Sequence, residues 1–287
     1  MKPPPSADPS DPALRQAAEW VRAADALVIG TGAGMGVDSG LPDFRGAEGF
    51  WQAYPPFRHL GLDFADLANP VWFDRDPPLA WGFYGHRLNL YRRTQPHAGF
   101  QILRRWAATK PAGAFVFTSN VDGQFQRAGF AEERILECHG SIHRLQRADQ
   151  RAGRIWDAGD TQVTVDETNM RARGELPRDP ATGHLARPNI CMFDDFGWNS
   201  EVTEAQEERY RDWLAELQGA RLVVIELGAG TAVPSVRHNS ERLIARFHAG
   251  LIRLNPREPA VPAGQLGLGC GALAGLTAID RLLQDSH

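Results

Sequence analysis

The chain is poor in the features that would make a protein secreted, membrane-bound or nucleic-acid-binding. Its 287 residues include three cysteines, Cys138, Cys191 and Cys270, too few and too far apart for a disulfide framework. No apolar run reaches the roughly 20 residues needed to span a bilayer. The proline-rich stretch Met1–Pro12 lacks an apolar core, so it is expected to be a flexible leader rather than a signal peptide or an anchor. Basic clusters are missing too. The net charge is −4, and Arg92-Arg93 and Arg104-Arg105 are isolated pairs suited to solvated helix faces. These absences point to a cytoplasmic protein with neither nucleic acid nor membrane among its partners.

One further absence is informative. The run Gly30-Thr31-Gly32-Ala33-Gly34-Met35-Gly36 follows the apolar Ala26-Leu27-Val28-Ile29, as a phosphate-binding loop follows a buried strand. The dinucleotide fingerprint needs a third glycine at fixed spacing and an acid about 20 residues further on. Neither Gly30-x-Gly32 nor Gly32-x-Gly34 has that third glycine, and the loop runs into Pro42-Asp43-Phe44-Arg45-Gly46. A helix is expected to follow the glycines and aim its N–H groups at phosphates. The charged, aromatic, proline-stiffened continuation suggests a nucleotide that is held and cut rather than one that carries hydride.

The rest of the chain alternates short apolar runs with amphipathic stretches. Strands are expected at 26–29, 114–117, 134–138, 222–227 and 251–254, and helices at 13–22, 99–107, 202–217, 236–247 and 272–283. Such alternation predicts an α/β fold, a Rossmann-like, doubly wound parallel sheet with helices on both faces. Ligands on such sheets sit beyond the carboxyl ends of the strands. Those ends lead into Gly30–Gly36, Thr118–Gly123, His139-Gly140-Ser141 and Gly228–Thr231, so four distant segments should meet at one crevice. The aromatic-rich stretch 47–96 and the polar, arginine-rich stretch 142–188 break the alternation. Both are read as insertions forming a smaller lobe, with 13–46, 97–141 and 189–287 as the nucleotide-binding domain and 1–12 as the leader.

Two segments carry candidate chemistry. Ser119-Asn120-Val121-Asp122-Gly123 places an amide and a carboxylate two residues apart, either as a helix cap or as groups that orient a ligand. His139 stands at the end of a short strand, either as a structural histidine or as a general base with a suitable intrinsic pKa.

Taken together, the segments resemble the sirtuins, NAD-consuming protein deacylases. The resemblance is carried by Gly32-Ala33-Gly34, Pro42-Asp43-Phe44-Arg45-Gly46, Gly49-Phe50-Trp51, Asn120-Val121-Asp122-Gly123, His139-Gly140-Ser141, Arg187-Pro188-Asn189, Gly228–Pro234 and Leu254-Asn255, in the family's order along nearly the whole chain. It implies NAD as co-substrate, an acyl-lysine protein or peptide as partner, and release of nicotinamide and O-acyl-ADP-ribose. It also implies roles. Ala33, Asp43, Phe44 and Arg45 would line the NAD pocket, with Phe44 shielding the reactive ribose carbon. Asn120 and Asp122 would hold the nicotinamide end and the ribose. Gly228, Thr231 and Asn255 would contact the phosphates and the adenosine side. Gly32, Gly34, Ser119 and Cys270 complete the expected cofactor contacts. His139, assisted by Asn120, would be catalytic, as the general base.

The chain also departs from the family. Ser119 stands where Gln is usual. Phe193-Asp194-Asp195 replaces Phe-Gly-Glu on the strand expected to bind substrate peptide through Phe193. The small lobe lacks the four zinc-binding cysteines. Arg147 and Asp149 stand near the first pair, and Asp179 and Thr182 keep the spacing of the second. His143, His184 and Cys191 are the remaining donors for a substitute site, but tetrahedral zinc needs four ligands, so a metal-free lobe is expected. Finally, Tyr84 and Arg87 lie three residues apart on a predicted helix face. Sirtuins that remove succinyl and malonyl groups carry a Tyr-x-x-Arg pair at the matching place. The competing reading makes Tyr84 core filler and Arg87 a solvated side chain. The expected activity is NAD-dependent lysine deacylation, of acidic acyl groups or of acetyl. ADP-ribosyl transfer or plain NAD hydrolysis is the alternative.

Overall fold

A computed structural model describes residues 11–43, 50–52, 54–149 and 153–285. Its centre is a six-stranded sheet of order β11-β10-β9-β1-β2-β3. The strands are β1 (Ala26–Thr31), β2 (Ala114–Thr118), β3 (Ile135–Glu137), β9 (Leu222–Leu227), β10 (Gly250–Leu254) and β11 (Leu266–Leu268), and every pairing is parallel. β1 lies between β2 and β9, so the winding reverses there, and the sheet is the doubly wound one expected.

Side chains alternate across the buried strands and feed two cores. Leu27 and Ile29 pack with helices α1 (Pro12–Ala23), α3 (Ala98–Ala108) and α6 (Ala272–Gln284), through residues such as Leu14, Leu103 and Ile279. Ala26 and Val28 pack on the opposite face with α4 (Glu201–Glu216) and α5 (Ser235–Phe247), through Tyr210, Trp213 and Leu243. Both faces are therefore apolar, which is why β1 and β9 read as unbroken hydrophobic runs. The first helix begins earlier than expected. Asp11 caps it by accepting from the Ala13 N–H, and Pro12 fills its first turn, where a missing N–H costs nothing.

A third core joins two separate chain segments. Phe50, Phe57 and Phe73 pack with helix α2 (Pro77–Arg93), and with Ile142, Leu145, Ala186 and Ile190. Short helical turns at 55–59, 64–67 and 71–75 precede α2. The second segment is less irregular than its composition suggests. Strands β4 (Gly140–Arg147), β5 (Trp156–Asp157) and β8 (Ala186–Ile190) form an antiparallel sheet, and β6 (Thr164–Asp166) pairs with β7 (Arg171–Arg173). Gly82 and Gly85 let β7 and Val163 approach α2: a Cβ on Gly82 would lie 2.0 Å from the Met170 carbonyl oxygen. Among the described residues no helix is long and apolar enough to cross a membrane.

The turn around Asp179 is closed by hydrogen bonds. The Asp179 carboxylate accepts from the Ala181 N–H at 3.0 Å and from the Thr182 hydroxyl at 2.7 Å. Asp149 pairs with Arg147 at 2.7 Å and approaches His184 at 3.9 Å. Each remaining donor is engaged elsewhere. His143 donates to the Asp122 carbonyl, and Cys191 lies on the wall of a cavity described below. Among the described residues no group of three His, Cys, Asp or Glu side chains could hold a metal. A carboxylate committed to a hydroxyl and a backbone N–H does not supply the donor set of a structural zinc, and the described residues do not fit one.

Candidate active site

The glycine segment after β1 forms two short 3-10 turns, Ala33–Met35 and Val37–Ser39, in place of the expected helix. The reason is the loop after β9. The Gly32 N–H donates to the Leu227 carbonyl and the Gly34 N–H to the Gly228 carbonyl, at 3.0 and 3.1 Å. A Cβ on Gly34 would meet the Gly228 Cα at 2.7 Å, and Gly228 has φ +60°. These glycines allow two loops to pack back to back at the switch point, a use of glycine that spacing alone does not distinguish from phosphate binding.

Beside them opens a cavity of about 730 Å³. Gly32 and Ala33, Ser119 to Asp122, His139, and Ala229 to Val233 all line it, so the four strand-end segments do meet. Tyr84, Arg87 and Tyr91 from α2 line it too, with Phe193. Gly34, Asp43, Gly228, Asn255 and Cys270 lie outside this lining, and Phe44 and Arg45 lie outside the described residues.

Each polar group has a local cause for its place. Asn120 is tethered: its Nδ2 donates to the Gly32 carbonyl at 3.0 Å, and its backbone N–H to the Thr118 hydroxyl. Asp122 combines both readings of its segment. Its carboxylate accepts from the Gln124 N–H at 3.0 Å, starting a helical turn, and it also lines the cavity. Burial pushes its pKa up to about 6, against the counter-effect of that hydrogen bond. His139 is half-buried, with Nε2 3.1 Å from the Ser235 hydroxyl. Burial lowers its pKa, opposed by a hydrogen bond to the Ser119 backbone.

Several expected cofactor contacts already have protein partners. Thr231 donates through its N–H and its hydroxyl to the Glu258 carboxylate, at 3.1 and 2.9 Å. Asn255 donates to the Ala229 carbonyl and accepts from the N–H groups of Arg257 and Glu258, bracing the loops from below. Asp43 pairs with Arg257 at 2.8 Å. Cys270 is a core residue packed with Leu268 and Leu276. Burial pushes its thiol up to about 11.

The pair on α2 is neither simple filler nor solvated. Arg87 is 6% exposed and its guanidinium faces four rings, Phe83, Tyr91, Phe64 and Tyr84, at 5.2–5.7 Å. Its Nε donates to the Tyr91 hydroxyl at 3.0 Å. The Tyr84 hydroxyl is buried without a hydrogen-bond partner among the described residues. Tyr91 was missed by the sequence reading, although it sits four residues beyond Arg87 on the same helix face.

Phe193 is partly exposed beside the cavity, with its N–H on the Ala68 carbonyl at 2.8 Å. Asp194, next to it, takes a left-handed backbone, with φ +53°. Asp195 turns inward to the buried Arg187 of β8, 2.6 Å from Nη2.

A doubly wound sheet with a crevice at its switch point defines a nucleotide-binding α/β protein. The Sir2 family model matches residues 32–220, and the chain belongs to that family. It is 28% identical over 270 residues to the NAD-dependent protein deacylase of Thermus thermophilus, covering 93% of each chain. It is 30% identical over 220 residues to the NAD-dependent protein deacylase of Thermococcus kodakarensis, covering 74% of each. Its fold is similar to that of a Sir2 homolog–NAD complex, with a TM-score of 0.70 and 21% identity over 94% of both chains.

Proposed function

We propose that this chain is an NAD-dependent protein-lysine deacylase that favours acyl groups ending in a carboxylate. The observation that carries the acyl preference is the buried Arg87 guanidinium on the cavity wall, beside a Tyr84 hydroxyl with no hydrogen-bond partner among the described residues. The cavity fits a dinucleotide in size and character: it lies at the switch point, it is apolar along its aromatic wall, and it is polar at Asn120, Asp122 and His139. Bound NAD would supply an activated ribose carbon and a leaving nicotinamide. Asn120, fixed by the Gly32 carbonyl, orients polar groups at that end. His139, whose pKa burial lowers, takes a proton from a hydroxyl. Phe64, Tyr84 and Tyr91 help keep the site dry, which protects an electrophilic sugar from water.

Residues 47–96 and 142–188 form the smaller lobe in this reading, which carries Tyr84 and Arg87. The unpaired thiols of Cys138, Cys191 and Cys270 suit a reducing cytoplasm.

Arg87 sits where an anion is best received. The aromatic faces and Tyr91 hold the guanidinium in one orientation, so little rotamer freedom is left to lose when a carboxylate arrives. A charge-assisted pair of this kind contributes about 1.5–3 kcal/mol, or about one to two decades in kcat/KM. The test is turnover of NAD with succinyl-, malonyl- and acetyl-lysine peptides by the wild type and by Arg87→Met. The variant should lose one to two decades on the acidic acyl groups and far less on acetyl. Equal losses, or a wild type that prefers acetyl, would overturn the acyl preference. ADP-ribosylated protein or free ADP-ribose as the sole product would overturn deacylation itself.

A further inference from the structure

Ser235 opens α5 directly after Pro234, and its hydroxyl lies 3.1 Å from His139 Nε2. Ser235 also forms part of the wall of a second cavity of about 510 Å³, between α4 and α5 behind His139, where Glu204, Glu207, His238 and Arg242 line the space. One hydroxyl therefore separates the imidazole from a polar compartment that plays no part in the reaction described above.

We propose that Ser235 is a positioning residue for His139, fixing the imidazole and stabilising its charged form. The inference rests on the deacylation reading for its consequence and on the His139–Ser235 contact for its substance. The Ser235 hydroxyl donates to Nε2 when that nitrogen is bare and accepts from it when it carries hydrogen, so it pairs with either tautomer and accepts from Nε2–H once the ring is charged. The charged bond is the stronger of the two, so Ser235 favours the imidazolium.

Little else offers the same support. The titratable groups around His139 are Cys138 before it, Cys191, whose N–H donates to the His139 carbonyl, and, along the main cavity, Asp63, Tyr84, Arg87, Tyr91, Asp122 and Glu258. Beyond Ser235 stand Glu204, Glu207, His238 and Arg242. Burial and the Ser119 backbone, not these charges, displace the His139 pKa.

The experiment follows the His139 imidazole by NMR titration in the wild type, Ser235→Ala and Ser235→Thr, with the pH profile of kcat/KM measured on the same proteins. Loss of the hydroxyl should lower the His139 pKa by about 0.5–1 unit, the difference between a charged and a neutral hydrogen bond. The acidic limb of the profile should move down with it. Ser235→Thr should restore both, which a merely structural role at the start of α5 does not require. Identical His139 titrations in wild type and Ser235→Ala would overturn the proposal. A wild type without deacylase activity would overturn the deacylation reading, while the titration would still decide the pairing.

Discussion

Removing the carboxylate of Asp195 should destabilise this protein more than most single changes can. Arg187 and Asp195 are 1% and 0% exposed, with one bond of 2.6 Å between them. That bond is made by Nη2, and Arg187 Nε and Nη1 have no hydrogen-bond partner among the described residues. The same carboxylate accepts from the Met192 and Gly197 N–H groups at 3.2 and 3.1 Å, so it also closes the segment that presents Phe193 to the cavity. Asp195→Ala strands a buried guanidinium, which costs about 3–5 kcal/mol. That is a large share of the roughly 5–15 kcal/mol that holds a domain folded. The fall in melting temperature should be of order 10 °C. Arg187→Met leaves Asp195 its two backbone donors and should cost less. The double variant should recover part of the loss, since an apolar replacement of a buried pair is often nearly neutral. Urea unfolding of the four proteins measures the cycle. A loss under about 1 kcal/mol for Asp195→Ala, or strictly additive changes, would refute the reasoning, because the pair would then be solvated or unimportant.

Asp122 should make stability depend on pH. Its folded pKa of about 6 lies above the ordinary carboxylate value near 3.8, so the folded state holds the proton more tightly. Stability should fall as pH rises from about 4 to 6, by about 3 kcal/mol in total, and Asp122→Asn should remove that slope; parallel unfolding-energy curves for the two proteins would refute it. Elemental analysis of protein purified without chelator should find well under one zinc per chain, and EDTA should leave the melting temperature unchanged. A stoichiometric metal whose removal unfolds the small lobe would refute the clasp reading of Asp179 and Thr182.

The parallel sheet was legible because both its faces are buried. Five of its six strands therefore read as apolar runs, and the helices that flank them show their stripes; β11, three residues with a glycine at its centre, did not. The second insertion was not legible for the converse reason. β6 and β7 are three residues each, partly exposed, and carry ion pairs such as Arg173–Asp166 and Arg171–Asp76 where a longer strand would carry an apolar stripe. Periodicity cannot report a strand that buries little. The helix expected after the first glycines failed on a tertiary term, the close approach of Gly34 and Gly228, which no local propensity encodes.

The site divides along the same line. Residue type and strand-end position located Ser119, Asn120, Asp122 and His139 at one cavity, because backbone topology alone brings strand ends together. Partners were not legible, since each is fixed by a loop arriving from elsewhere in the chain. Glu258 reaches Thr231 across 27 positions, Arg257 reaches Asp43 across 214, and Ser235 reaches His139 across 96. In each case a side chain expected to meet a ligand is already engaged by protein. Asn255 adds its three bonds beneath the Ala229 loop. A mouth braced in this way loses little conformational freedom when a ligand enters, which favours binding through preorganisation. The same bracing has a cost: a ligand oxygen that needs the Thr231 N–H must first displace the Glu258 carboxylate, one anion exchanged for another. Thr231 is exposed, so water can take over its N–H when Glu258 swings aside, and the exchange at the rim costs little.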